Sequence, residues 1–434
     1  MNQLLAIPLE LRLAVLFVLG TLVGSAVNLA VFTLRFPPRP ISPWSREHPR
    51  DTASSWLDRV PLLGWWRLRR RVAMFGPRFW IRPLAIEALF GFGFAALYVW
   101  EIRDLGLVAR LLPAGAMLGP ADLLRLHAVY LAHLLLIALM AAASVIDLDD
   151  QTIPDHITVP GTLLGLALAA LVPWSLMPVV IKGALPPAGA GAVEPIKFTL
   201  DFLTLVSPNP WPAGLLGGKP GALVLGLGCY WLWCVGLLPR RWQGRRGWRK
   251  ALQVVLARMT REFTSTFMLL LSLVGSAFIL AVWWKGGDAW RGLLTALVGM
   301  AAGGGLVWAV RVIGGWALNK EAMGFGDVTL MAMLGAFLGW QMCLMIFFLA
   351  PFAALLVGLV QLVLYRDNVV PYGPFLCLAA LGAMLNWGAL WEWAAGLFAL
   401  GWLVPVVVVF CLVLLGVLLP LCRLVLDLFR RGDD

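Results

Sequence analysis

Charge is scarce in this sequence. Only 13% of its 434 residues are charged, 61% are hydrophobic, and the mean hydropathy is +0.86. Soluble domains carry about 25% charged residues, so a water-soluble globular enzyme is excluded. Histidine is also scarce: the four, His48, His127, His133 and His156, are scattered. His127 and His133 are six apart, so they do not stack on one helix face, and no metal cage is suggested. The six cysteines, Cys229, Cys234, Cys343, Cys377, Cys411 and Cys422, all lie in apolar stretches, and none forms a CxxC pair. Buried apolar thiols are inert packing groups, which excludes a disulfide framework and a zinc site. Alternating barrel-type patterning is missing too, and lipid-exposed backbone must satisfy its own polar groups, so the spans are helices.

What is abundant is apolar length. Apolar segments fall near 11–35, 83–101, 127–146, 157–178, 221–238, 264–284, 290–314, 328–340, 342–364, 373–391 and 393–421. The fold class is therefore all-α, a polytopic helical membrane protein with about eleven membrane segments. One of them, 328–340, is about 20 Å long at 1.5 Å per residue and reads as a partial span leading into the next. The first segment has a longer apolar core than a secretory signal, and its arginines come afterwards, so it reads as a retained helix.

Arginine sets the orientation. Loop 36–82 carries ten arginines and loop 239–262 carries eight basic residues, which places both in the cytoplasm. An even number of crossings separates them. The N-terminus then lies outside, the Arg430–Arg431 tail inside, and the Pro/Gly-rich stretch 179–220, with three lysines, on the outer side. The net charge of +11 follows from topology and contact with lipid headgroups, and a nucleic-acid partner is not indicated. The chain divides into a first transmembrane helix (1–35), a basic loop (36–82), membrane helices (83–178), a stretch with an outer loop, two helices and a second basic loop (179–289), further membrane helices (290–391) and a C-terminal helix with a basic tail (392–434).

Acids are few and unevenly placed. The third span ends in "SVIDLDDQTIPDHITVPG", with Asp147 at the cytoplasmic helix end and Asp149, Asp150 and Asp155 after it. Asp327, in "KEAMGFGDVTLMAMLGAFLGW", falls at a cytoplasmic boundary as well, so two distant stretches bring acids to one membrane depth. An aspartate at a span centre costs about 2.5–3.5 kcal/mol on insertion scales, so such residues face water or partners and mark function. Two carboxylates brought close share a proton, one taking a proton from water while the other donates one, which is aspartyl protease chemistry. Gly324 and Gly326, lacking Cβ, let helices and an extended peptide approach the acid. Each acid also has a bland reading: Asp155 as a helix N-cap, Asp149 and Asp150 as solvated loop acids, Asp327 as an N-cap.

Taken together, "IDLDDQTIPD" and "KEAMGFGDVTLMAMLGAFLGW" resemble the paired motifs of the type IV prepilin peptidases, bacterial membrane aspartyl proteases with a GxGD signature. "GSAVNLAVFTLRFP", which contains Asn28, is similar to that family's first helix, and "DRVPLLGWW" to its first cytoplasmic loop. "IRPLAIEALFG" is similar to the start of its second helix, with Glu87 in place, and "VVPYGPFLCLAALGA" to the segment after the GxGD helix. The resemblance covers 11–178 and 290–391. It implies Asp147 and Asp327 as the catalytic acids, with Gly324, Gly326, Asp149, Glu87 and Asn28 supporting the site or the substrate. It implies cleavage of the leader peptide from type IV prepilins or pseudopilins at the cytoplasmic face of the inner membrane, with no cofactor for the peptidase step. It also implies N-methylation of the new amino terminus with S-adenosylmethionine.

Three departures bear on those implications. The family's two CxxC pairs are missing from loop 36–82, which speaks against zinc and removes the loop chemistry associated with methyl transfer. The lysine usual two residues after the GxGD aspartate is Thr329 here. The stretch 179–289 is an insertion in which no chemistry is evident. Two readings from other classes are a proton-coupled transporter using intramembrane carboxylates and a non-catalytic assembly protein. The first would be marked by inverted repeats, which the two halves do not display, and the second by loss of an acid, yet both acids are present.

Overall fold

The computed structural model describes residues 7–35, 56–113, 116, 118–182, 198–209, 219–238, 266–318, 323–364 and 371–431. The elements are α1 (Leu9–Leu34), a short α2 (Leu63–Leu68), α3 (Ile81–Tyr98), α4 (Pro120–Asp150), α5 (Asp155–Leu171), strands β1 (Pro178–Lys182) and β2 (Phe198–Phe202), α6 (Pro220–Gly236), α7 (Thr266–Lys285), α8 (Gly287–Leu318), α9 (Phe325–Leu364), α10 (Gly373–Leu385), α11 (Trp387–Phe398) and α12 (Leu403–Arg431). Among the described residues, seven helices are long and apolar enough to cross a membrane, or eight if α10 and α11, bent by 92° to each other, count as one broken span. The protein is thus an all-α polytopic membrane protein.

That count is smaller than eleven for reasons of length. α5 stops at Leu171, short of the segment read to 178, because Pro173 opens a 3-10 turn that leads into β1. α6, at 17 residues, is also short for a span. Segments 328–340 and 342–364 form one element broken at Gly339, whose φ of 80° is left-handed. The Cys343 Sγ lies 3.9 Å from the Met331 carbonyl oxygen. A straight helix would separate residues twelve apart by about 18 Å, so the chain folds back at Gly339 into two arms. The first arm is the short one that carries Asp327.

α8 runs beside both arms, and small residues make this possible. A Cβ on Gly299 would lie 2.8 Å from the Gly339 Cα, and it would also collide with the Gly335 carbonyl. Close backbone approach of this kind replaces the hydrophobic driving force that is missing between helices in lipid. One core gathers α1, α3, α4, both arms of α9, and α10 and α11; a second joins α5, α6, α7 and α8 around Tyr230, Trp233 and Trp290.

The sheet has no counterpart in the sequence reading. β1 and β2 pair antiparallel, Pro178 opposite Phe202 and Lys182 opposite Phe198. Two side chains seal this ribbon to the bundle end remote from the acids. The Trp387 indole donates to the Pro178 carbonyl at 2.7 Å, and Arg125 donates to the Leu200 carbonyl at 3.0 Å.

Candidate active site

The site lies where the C-terminal end of α4 meets the N-terminal ends of α9 and α10. Asp147 lies three residues before Asp150, the last residue of α4, inside its final turn, and the helix ends in a left-handed Gln151 with φ 52°. Asp327 is in the first turn of α9. Both aspartates are buried, 4% and 6% exposed, and each lies within reach of the other's charge. Two acids 180 positions apart in sequence are thereby brought together, as the sequence suggests.

Backbone N–H groups hold both carboxylates. Gly373, the first residue of α10, donates to Asp147, so this acid takes the place of a cap at an N-terminal helix end, where unpaired N–H groups and the macrodipole favour negative charge. Gly324 donates to Asp327. α9 begins at Phe325, which makes Asp327 the third helical residue and not the N-cap, and its bond back to Gly324 is half of a capping box. One side chain thus serves the helix end while its carboxylate stays within the field of Asp147. Asp155 is likewise not the cap it was read as: Pro154 occupies that position and Asp155 begins the helix.

Glycines set the spacing between the loops. A Cβ on Gly326 would sit 2.8 Å from the Ile153 Cβ, and one on Gly373 would sit 2.7 Å from the Ile153 Cδ1 and 2.6 Å from an Asp147 carboxylate oxygen. Ile153, in the turn between α4 and α5, is the shared packing surface for both. Gly324 is exposed and lies beside Asp327. Tyr372, just ahead of α10, is half-buried, and burial together with the charge of Asp327 pushes its hydroxyl up to about 12. The Thr329 hydroxyl bonds the Gly326 carbonyl at 3.1 Å, within its own helix turn.

Three of the residues read from the sequence are not brought to the acid pair. Asp149 turns to arginines, bonding Arg82 at 2.7 Å and Arg35 at 3.1 Å, while Asp150 takes the other Arg35 nitrogen at 2.8 Å. This clamp ties the ends of α1 and α3 to the turn of α4 that bears Asp147. Glu87, fully buried on α3, accepts from the Leu62 N–H at 2.6 Å and the Trp65 indole at 2.9 Å. Asn28, on α1, donates to the Pro83 carbonyl at 2.9 Å and also bonds Glu87. Glu87 and Asn28 therefore organise the cysteine-free loop around α2. Buried Asp58 adds bonds to Arg67 and Arg70 at 2.9 and 2.6 Å. Among the described residues, no three His, Cys, Asp or Glu side chains converge as a metal cluster.

Sequence reasoning missed Tyr372, Gly373, Ile153 and Arg311. The Arg311 guanidinium acts on Asp327 by its charge. An arginine inside an apolar run is the signal that could have found it.

The type IV leader peptidase family matches residues 134–192 and 260–359, the two stretches that hold Asp147 and Asp327. A prepilin leader peptidase/N-methyltransferase of Myxococcus xanthus is 32% identical over 154 residues, 36% of this chain and 39% of the relative. Proteins of the same name from Escherichia coli and Aeromonas hydrophila are 38% identical over 98 residues and 34% over 105, covering 22% and 24% of this chain. The matched stretches span 42% and 33% of those two relatives, so all three alignments cover less than two thirds of the relative. No solved structure matches. The segments that carry the two buried aspartates are thus similar to the type IV leader peptidase family, and the matches are confined to part of the chain.

Proposed function

We propose that this protein is an aspartyl endopeptidase that removes the leader peptide of type IV prepilins or pseudopilins at the cytoplasmic face of a bacterial inner membrane. The observation that carries this reading is the pair of buried carboxylates, Asp147 and Asp327, each held by a backbone N–H and each within the other's field. Such a pair holds one proton between two acids. The ionised partner takes a proton from water as the water attacks the scissile carbonyl while the protonated partner donates to the carbonyl oxygen; the proton taken from water then passes to the leaving amine as the C–N bond breaks, and the diol returns its proton to the second acid. No covalent enzyme intermediate arises in this sequence.

The substrate class rests on the names of the relatives, which act on prepilin leaders. The basic loops 36–82 and 239–262 support the cytoplasmic placement, with the N-terminus outside and lipid headgroups as partners of the arginines. The peptidase step uses neither zinc nor S-adenosylmethionine. Loop 36–82 carries no cysteine, and its described part is held by Glu87, Trp65 and Asp58, so methyl transfer is not assigned here.

Asp147→Asn and Asp327→Asn test the reading directly. Each preserves size but cannot cycle a proton, so each should abolish processing of a cognate prepilin while the protein still inserts in the membrane. Normal processing by either variant refutes the assignment.

A further inference from the structure

We propose that Arg311 is a positioning residue for Asp327, acting through the single peptide group between Met323 and Gly324. The inference rests on the reading of Asp327 as a catalytic acid. Arg311 lies inside the apolar length of α8, where a guanidinium persists only if it meets partners. Its Nε donates to the Met323 carbonyl at 2.9 Å, and its guanidinium carbon lies 5.6 Å from the centre of the Phe325 ring. The N–H of the next residue, Gly324, donates to the Asp327 carboxylate. One peptide plane is therefore gripped from both sides, its C=O by a cation and its N–H by the acid.

The consequence follows from peptide geometry. C=O and N–H of a trans peptide are fixed in one plane and point in opposite directions, so holding the carbonyl aims the N–H. Gly324 has no Cβ to restrict rotation of that plane, which leaves the hold on the carbonyl as the restraint. A cation on the carbonyl also polarises the amide and makes its N–H a stronger donor. The charge of Arg311 reaches Asp327 directly as well. Thr329, by contrast, spends its hydroxyl on the Gly326 carbonyl. Arg311 thus fixes both where the Asp327 carboxylate sits and how strongly it is solvated by the protein.

The test uses purified full-length protein in detergent, with a synthetic prepilin peptide as substrate. Arg311→Ala should lower kcat roughly 10- to 100-fold, the scale of losing a charge-assisted hydrogen bond beside a reacting group. KM should stay within about twofold of the parent, because a residue that acts through the Met323 carbonyl affects the acid and not substrate binding. Arg311→Lys, which retains a cation and a donor, should recover most of the loss. If Arg311→Ala does not accumulate in membranes, Arg311→Gln, with a donor but no charge, is read by the same outcomes. Parental kcat in the uncharged variant overturns the inference, and so does an equal loss in the lysine and uncharged variants. Asp327→Asn is assayed alongside. Normal cleavage by that variant refutes the peptidase reading itself, whereas an inactive Asp327→Asn beside a fully active Arg311→Ala refutes only the role of Arg311.

Discussion

Gly373→Ala is a one-methyl probe of the site. Gly373 opens α10 and its N–H holds Asp147, but its backbone does not need a left-handed conformation, so alanine is tolerated by the chain itself. The new Cβ would stand 2.6 Å from an Asp147 oxygen and 2.7 Å from the Ile153 Cδ1, where ordinary contact begins near 3.4 Å. Either the carboxylate or the start of α10 must then retreat by roughly 0.8 Å, and a displacement of that size at a reacting group costs on the order of 100-fold in rate. The helix should lose little stability, because alanine favours helix by about 1 kcal/mol over glycine and offsets part of the strain. Gly382→Ala, on the same helix, supplies the control, since a Cβ there meets nothing within 4 Å. Single-turnover cleavage of a prepilin peptide by detergent-purified protein measures the first effect, and thermal unfolding monitored in parallel measures the second. A Gly373→Ala protein with parental turnover would show that the Asp147 carboxylate is not held where the structure places it.

Other consequences are more local. Glu87→Ala removes the acceptor for the Leu62 N–H and the Trp65 indole, and it should destabilise the loop around α2 by about 3 kcal/mol, seen as faster proteolysis between 56 and 71. Glu87→Gln, with one acceptor oxygen left, should fall between the two. Cleavage should continue in a chelator without added S-adenosylmethionine, and mass spectrometry of the new N-terminus with that cofactor supplied should show mostly unmethylated product. Chelator sensitivity would overturn the first of these, and stoichiometric methylation the second.

Much of the membrane fold is legible because lipid leaves a chain few choices. Runs such as 11–35 and 290–314 can satisfy their backbone only as helices, and their ends lie within a few residues of α1 and α8. The two arms of α9 are readable as separate segments, 328–340 and 342–364, with Gln341 between them, although the break itself falls two residues earlier, at Gly339, whose left-handed φ only the fold reveals. The sheet is not readable. Pro178–Lys182 and Phe198–Phe202 are five residues each, and what keeps them paired against the bundle includes bonds from Trp387 and Arg125, far away in sequence. The bend between α10 and α11 escapes for a similar reason, since 373–398 carries no proline at the break to announce it.

The candidate site divides in the same way. Asp147 and Asp327 stand out because an acid beside a long apolar run needs a reason. Their neighbours do not stand out, because they act through backbone. Gly373 and Gly324 contribute an N–H, a group that every residue but proline has, and only the fold aims these two at carboxylates. Asp149 illustrates the opposite error: spacing puts it two residues from Asp147, but successive helix positions point about 100° apart, so a residue two along faces away. The arginines at 35 and 82 take it instead. Proximity in sequence within a helix is thus a poor guide to a shared site, whereas the charge left inside an apolar run is a good one. Arg311 satisfies that second criterion as fully as Asp327 does, and its bond to the Met323 carbonyl shows what such a charge is for: it holds the turn from which the acid is presented.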